Sequence, residues 1–159
     1  EGGRCDAQQF GERFVEEFDL PITGSELIHR FRSWPRGLFD GAQELLTELS
    51  LNQTIVVAAL SNSNPVHWHE QQDADVIRSL FERPFLSYEL ELVKPDRDIF
   101  ETVARSLDVH PGDILYFDDN QINVDGARDA GWRAEVASSP SACRAHLAPL
   151  GLVRSAELP

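Results

Sequence analysis

An α/β fold is what this sequence predicts: a doubly wound, Rossmann-like parallel sheet preceded by a pair of helices. Three observations lead there. Short apolar runs alternate with stretches of helical periodicity, the pattern of parallel strands joined by crossover helices. "TIVVAAL" and "ILYF" are continuously apolar, as strands covered on both faces are. Chemically distinctive residues follow these runs, at the carboxyl ends of strands where open α/β sheets bind ligands.

The elements follow in order. Asp6 with Gln9 forms a capping box, and Phe10, Phe14 and Phe18 recur at helical spacing, so a helix runs from about Asp6 to Phe18. Thr23 to Glu26 repeats the signature and opens a second helix with Leu27, Ile28 and Phe31 on its apolar side, stopped at Trp34-Pro35. These aromatics suit a core, although Trp34 and the phenylalanines could also line a substrate entrance. Two amphipathic helices alone bury little, so residues 1–35 look like a piece of something larger. Residues 36–159 are expected to form the α/β core.

After Gly37 the pattern changes: "GAQELLTELS" reads as a helix, "TIVVAAL" as a strand and "SNSNP" as a turn. "DADVIRSLFE" is helical and "RPFLSYELELV" holds a short strand. Asp96 caps a helix to about Leu107 with Ile99, Phe100, Val103 and Leu107 inward, and "PGD" turns the chain into "ILYF". The helix after Asp118 and Asp119 ends at Gly131, a C′ glycine; "WRAEVA" is a strand and "SPSACRAHLAPL" a last helix.

Composition narrows the function. With 159 residues the chain suits one α/β domain and a small accessory element. A net charge of −13 disfavours nucleic acid and anionic membranes as partners, because phosphate backbones need clustered cations. No apolar run is long enough to span a bilayer and no secretory leader is visible. Cys5 and Cys143 are few and far apart, which suggests reduced thiols and a cytoplasmic setting. Nothing in the pattern fixes an oligomeric state.

Three sites converge at strand ends: Ser61-Asn62 after "VVAAL", Lys94-Pro95, and Asp118-Asp119 after "ILYF". Singly each has an ordinary explanation. Serine favours turns, a lysine sits on most surfaces, and aspartate caps helices. Lys94, however, is the only lysine in the chain. Two adjacent carboxylates beside a core repel each other unless a cation offsets them. A hydroxyl, an ammonium and hard oxygen ligands together suit a phosphoryl group and Mg²⁺. His67 and His69, at i and i+2, point in different directions and make a zinc site improbable; a substrate contact by this loop is the weaker reading beside a structural turn. His29, His110 and His146 read as surface or packing residues.

The segments "VVAALSNSN" and "LELVKPDRDIFETVARSLDVHPGDILYFDDNQINVDGARDAGW", with the helical lead-in, resemble the haloacid dehalogenase-like (HAD) hydrolase superfamily. The resemblance covers nearly the whole chain. It is nearest to the branch with a helical cap after the first strand, which includes sugar-phosphate phosphatases and is similar to the phosphatase domain of soluble epoxide hydrolase, and it implies that residues 1–35 are the C-terminal part of that cap. It implies a small phosphorylated metabolite as substrate and Mg²⁺ as cofactor. It also implies that Ser61 and Asn62 bind phosphate, and that Lys94 is a catalytic and phosphate-binding lysine. Asp119 would be the direct metal ligand, supported by Asp118. Asn123 stands where many relatives have a further acid.

The family's chemistry begins with an aspartate nucleophile in Asp-x-Asp at the end of a first strand, forming an aspartyl-phosphate. Here that spacing occurs only at Asp73/Asp75 and Asp96/Asp98, after the serine motif and on predicted helices. The chain is therefore expected to begin inside the cap and to lack the central strand. Flanking strands would then stand roughly twice the usual ~4.8 Å apart. A strand from residues outside the 159, one from a partner, or closure of the two flanks would fill the gap. Two rivals remain: a non-catalytic protein on the same fold, and a metal-independent 2-haloacid dehalogenase.

Overall fold

A computed structural model describes residues 2–3, 5–71 and 73–154. Local capping builds the first two helices. Helix α1 (Ala7–Glu17) starts from the expected box: the Asp6 carboxylate accepts from the Gln9 N–H at 2.8 Å, and the Gln9 side chain accepts from the Asp6 N–H. Helix α2 (Gly24–Phe31) starts where the Thr23 hydroxyl accepts from the Glu26 N–H at 3.1 Å. The two helices touch through bare backbone. A Cβ on Gly11 would lie 2.6 Å from the Gly24 carbonyl oxygen, closer than any side chain tolerates. Leu27 and Ile28 are buried, but Phe18 and Trp34 remain 60% and 61% exposed, against the expectation of core aromatics. A pair of helices covers only the faces turned to each other and to what lies beneath, and these rings lie outside both.

The rest alternates as expected: α3 (Ala42–Ser50), β1 (Ala58–Ser61), α4 (Pro65–Glu70), α5 (Ala74–Ser79), β2 (Arg83–Leu86), α6 (Ser87–Leu90) and α7 (Arg97–Leu107). A 3₁₀ turn at Pro111–Asp113 leads into β3 (Leu115–Asp118), α8 (Gln121–Asp129), β4 (Arg133–Val136) and α9 (Pro140–Leu147), with a second 3₁₀ turn at Ala148–Leu150. Gly131 stands just past α8 with φ +88°, the left-handed C′ position the sequence marks. Asp96 holds the N-cap position of α7, but its side chain makes no capping bond. The turn closed by the Asp96 N–H on the Val93 carbonyl, at 3.0 Å, sets that helix start instead.

All strand pairing is parallel, yet the single sheet is divided. β1 pairs with β2, Ser61 opposite Leu86, and β3 pairs with β4, Asp118 opposite Val136. Among the described residues no strand lies between β1 and β3, and the two do not bond to each other. Closure of the flanks is thus not the arrangement seen. β1 is also shorter than "TIVVAAL" and not covered on both faces: its ladder begins at Ala58, opposite Arg83, and Val56 before it is 57% exposed.

Three apolar clusters hold the elements. The main one joins α7, α8, β3 and β4 through Ile99, Phe100, Val103, Val124, Ala127 and Trp132, and takes in Phe85 of β2. Enclosing a ring such as Phe100 contributes about 1.5–3 kcal/mol. A second joins α3 to α9 through Leu45, Leu49 and Leu147, and a third sets Trp68 and Ile77 on Leu86. No helix among the described residues is long and apolar enough to cross a membrane.

Candidate functional site

The site begins where β1 runs out. Ser61 ends the strand half-buried, and its hydroxyl bonds to no other described residue. Asn62 next to it grips the backbone of Lys94 from both sides of its amide. Its Nδ2 donates to the Lys94 carbonyl at 3.0 Å, and its Oδ1 accepts from the Lys94 N–H at 2.9 Å. The next residue joins in: the Ser63 N–H donates to the fully buried Ser87 hydroxyl at 3.0 Å, tying the loop after β1 to α6. These three bonds fix the path that carries Lys94 to the gap.

The lysine then bridges that gap. Its ammonium donates to the Leu60 carbonyl at 3.0 Å, to the Tyr116 hydroxyl at 3.0 Å and to Asp118 Oδ2 at 2.7 Å. An ammonium has three protons, so all are engaged. One partner belongs to β1 and two to β3. The Lys94 and Asp118 side chains are only 9% and 7% exposed, so the pair is a buried one and its loss would leave an uncompensated charge.

Asp118 is saturated. Oδ2 takes Lys94 and the Tyr116 hydroxyl; Oδ1 takes the Asn120 N–H at 2.9 Å and Asn123 Nδ2 at 3.0 Å. Burial by itself would raise its carboxyl, but these donors outweigh it and hold the group below the usual carboxylate range. Tyr116 moves the other way. Burial first, then its bond to Asp118 and the charges of Asp118 and Asp119, push the phenol up, so it stays a donor. Asp119 differs from its neighbour: it is exposed, and its carboxylate bonds to no described residue. The adjacent acids are tolerated because one is neutralised inside and the other faces water.

Behind the acids, α8 lies hard against the lysine loop. A Cβ on Gly126 would stand 2.6 Å from the Pro95 carbonyl oxygen and 3.1 Å from the Phe100 ring. A helix intolerant of bulk is what lets Pro95, and Lys94 with it, sit this close. In front, a cleft of about 360 Å³ is lined by Phe39, Leu46, Phe117, Asp118, Asp119 and Cys143. A larger hollow of about 520 Å³, between His29, Arg32 and Glu70, lies between the end of α2 and the end of α4 instead.

Of the residues singled out in the sequence, Asn62, Lys94 and Asp118 meet directly, while Ser61 and Asp119 flank them on the strand ends. Asn62 is occupied with the Lys94 backbone. His67 lies on α4 rather than in a turn. Its Nε2 donates to the Phe31 carbonyl at 2.8 Å and its Nδ1 accepts from Asn64 at 3.2 Å, with the ring 4.0 Å from Phe31. Nε2 ties α4 to the end of α2, and Nδ1 bonds back to the cap of α4 itself. His69 lies 3.3 Å from the Tyr88 hydroxyl. No three His, Cys, Asp or Glu side chains converge among the described residues. Mg²⁺ needs only one or two carboxylates because it keeps several waters, so the open carboxylate of Asp119 fits it in kind, whereas the oxygens of Asp118 are taken by four donors.

Tyr116 was missed in the sequence, where it looks like one more apolar residue of "ILYF". Strand period 2 puts it on the same face as Asp118 two residues later, and that spacing was the available signal. Ser87, buried with its hydroxyl engaged, carried no signal of its own.

A family model described as haloacid dehalogenase-like hydrolase matches residues 5–131. Among solved structures, the chain is similar to the HAD family enzyme BT-2542 of Bacteroides thetaiotaomicron, in complex with magnesium and inorganic phosphate. The identity is 24%, over 87% of this chain and 72% of that one, with a TM-score of 0.72. A protein of Porphyromonas gingivalis described as a predicted HAD-like family hydrolase matches at 20% identity, over 86% and 68%, with a TM-score of 0.66. A dehalogenase matches at 18% identity, over 86% and 66%, with a TM-score of 0.65. At these identities the likeness is one of fold.

Proposed function

Since the chain belongs to the haloacid dehalogenase-like hydrolase family, we propose that it serves a Mg²⁺-dependent phosphatase acting on a small phosphorylated metabolite, with sugar phosphates the first class to test. The observation that carries this is the buried Lys94 ammonium held at the gap between β1 and β3, beside an acidic pair. Supporting it, BT-2542 was crystallised with magnesium and inorganic phosphate.

In this reading the Ser61 hydroxyl donates to a phosphoryl oxygen, and Asn62 holds the Lys94 backbone so that its ammonium neutralises phosphoryl charge. Asp119 would hold Mg²⁺, which supplies positive charge against the phosphoryl oxygens, with Asp118 supporting from behind through its bonds to Lys94 and Asn123 rather than as a ligand. The nucleophilic Asp-x-Asp is supplied by residues outside the 159, on a strand seated between β1 and β3, and forms the aspartyl-phosphate. Residues 1–35 act as part of a cap and 36–159 as the core; residues 1, 4, 72 and 155–159 lie outside the described residues. A cytoplasmic setting suits the two free thiols.

Calorimetric titration with Mg²⁺ tests the reading. The chain is expected to bind the ion, and Asp119→Asn to lose about tenfold or more in affinity, because a neutral amide replaces the anionic oxygen that would touch the ion. Equal affinity in both overturns the assignment and favours a metal-independent dehalogenase. The 159 residues alone are expected not to hydrolyse p-nitrophenyl phosphate, and robust turnover would overturn the outside nucleophile.

A further inference from the structure

The three acceptors around the Lys94 ammonium are not equivalent. The Leu60 carbonyl is backbone at the end of β1, and Asp118 is the opposite charge. The Tyr116 hydroxyl alone touches both members of the pair: it accepts from Lys94 at 3.0 Å and donates to Asp118 Oδ2. The ammonium meets the tyrosine at its hydroxyl end, nearly in line with the ring, with Nζ 5.6 Å from the ring centre. That ring is fixed by edge-on packing against Phe100 at 6.0 Å and Trp132 at 5.6 Å, inside the main apolar cluster. A rigid group thus meets a flexible one. The lysine stem has four rotatable bonds, whereas the tyrosine hydroxyl is placed by its backbone and two packed neighbours.

We propose that Tyr116 is the positioning residue that aims the Lys94 ammonium at the phosphoryl group. It holds one proton of the ammonium at the wall of the gap and keeps the charge from folding wholly onto Asp118. The inference rests on the reading of Lys94 as the phosphoryl-binding lysine.

The sole lysine makes the test direct, because protein labelled with ¹⁵N-lysine gives one ζ-NH₃⁺ resonance. In Tyr116→Phe the ammonium loses one acceptor, and its hydrogens are expected to exchange with water about fivefold faster or more, the scale of one lost hydrogen bond. Val103→Ala is the control: it loosens the same cluster without touching Lys94 and should leave the exchange unchanged. Exchange in Tyr116→Phe within about twofold of the unsubstituted chain, or equal acceleration in both variants, overturns the proposal. If Tyr116→Phe does not fold, 3-fluorotyrosine in the unsubstituted chain answers the same question. Of the two tyrosines only Tyr116 bonds to Lys94, so the ζ resonance should move, and a stationary one overturns the proposal. Inorganic phosphate added to the unsubstituted chain tests the underlying reading separately. A ζ resonance that shifts supports it; one that ignores phosphate overturns the phosphoryl role, and the exchange comparison then still decides whether Tyr116 holds the ammonium.

Discussion

Around β3–β4, helices α7 and α8 enclose Ile99, Phe100, Val124 and Ala127 completely, whereas beside β1–β2 the separate cluster comprises Trp68, Ile77 and Leu86. The first pair rests on apolar packing. The second is tied to it by apolar contacts, Val57 and Phe81 sharing a cluster with Leu115 and Phe117 and Phe85 reaching into the main one, and by polar ties, the Asn62 clasp and Lys94 between Leu60 and Asp118. The difference teaches that one residue can be both a structural tie and a candidate chemical group. Where no strand joins two halves of a sheet, a buried ion pair does part of a ladder's work.

Removing that tie should have the largest effect. Lys94→Met leaves the Asp118 carboxylate buried without its cation, and urea unfolding is expected to register a loss of about 3–5 kcal/mol. A loss below about 1 kcal/mol would mean that the two halves are joined by packing alone. Gly126→Ala presses on the same junction from behind. Its Cβ would collide with the Pro95 carbonyl, so the helix-propensity gain is outweighed and a net loss of about 1–3 kcal/mol is expected. Unchanged or raised stability would show that the lysine loop can retreat.

The gentlest probe is acid. The Asp118 carboxyl is held below its ordinary value, so its contribution is complete above the unfolded value of about 4 and fades as pH falls through the lower folded one. Protonation removes only charge and leaves oxygens that still accept, so the effect is smaller than deleting Lys94. Unfolding measured from pH 6 to 3 should fall more steeply for the unsubstituted chain than for Asp118→Asn. Parallel curves would show that Asp118 is not what titrates.

Much of this was legible in advance. The capping box at Asp6, the Thr23 cap, the α7 face of Ile99, Phe100 and Val103, and the C′ glycine at Gly131 are signals within a few residues, and each appears where its spacing put it. The parallel pairing and the meeting of Lys94 with Asp118 also followed from alternation and strand ends. The exposure of Phe18 and Trp34, the short β1 and the idle Asp96 side chain did not, because each depends on which neighbour is present.

By itself the sequence determined the order and type of the elements and brought a lysine and two aspartates to one rim, since periodicity, caps and turns act over a single turn of chain. Only the tertiary structure decided which aspartate is spent inside and which faces water, and that Tyr116 stands between the charges. Those outcomes depend on burial and on donors that come from residues two to twenty-four positions away, and no local pattern records such distances.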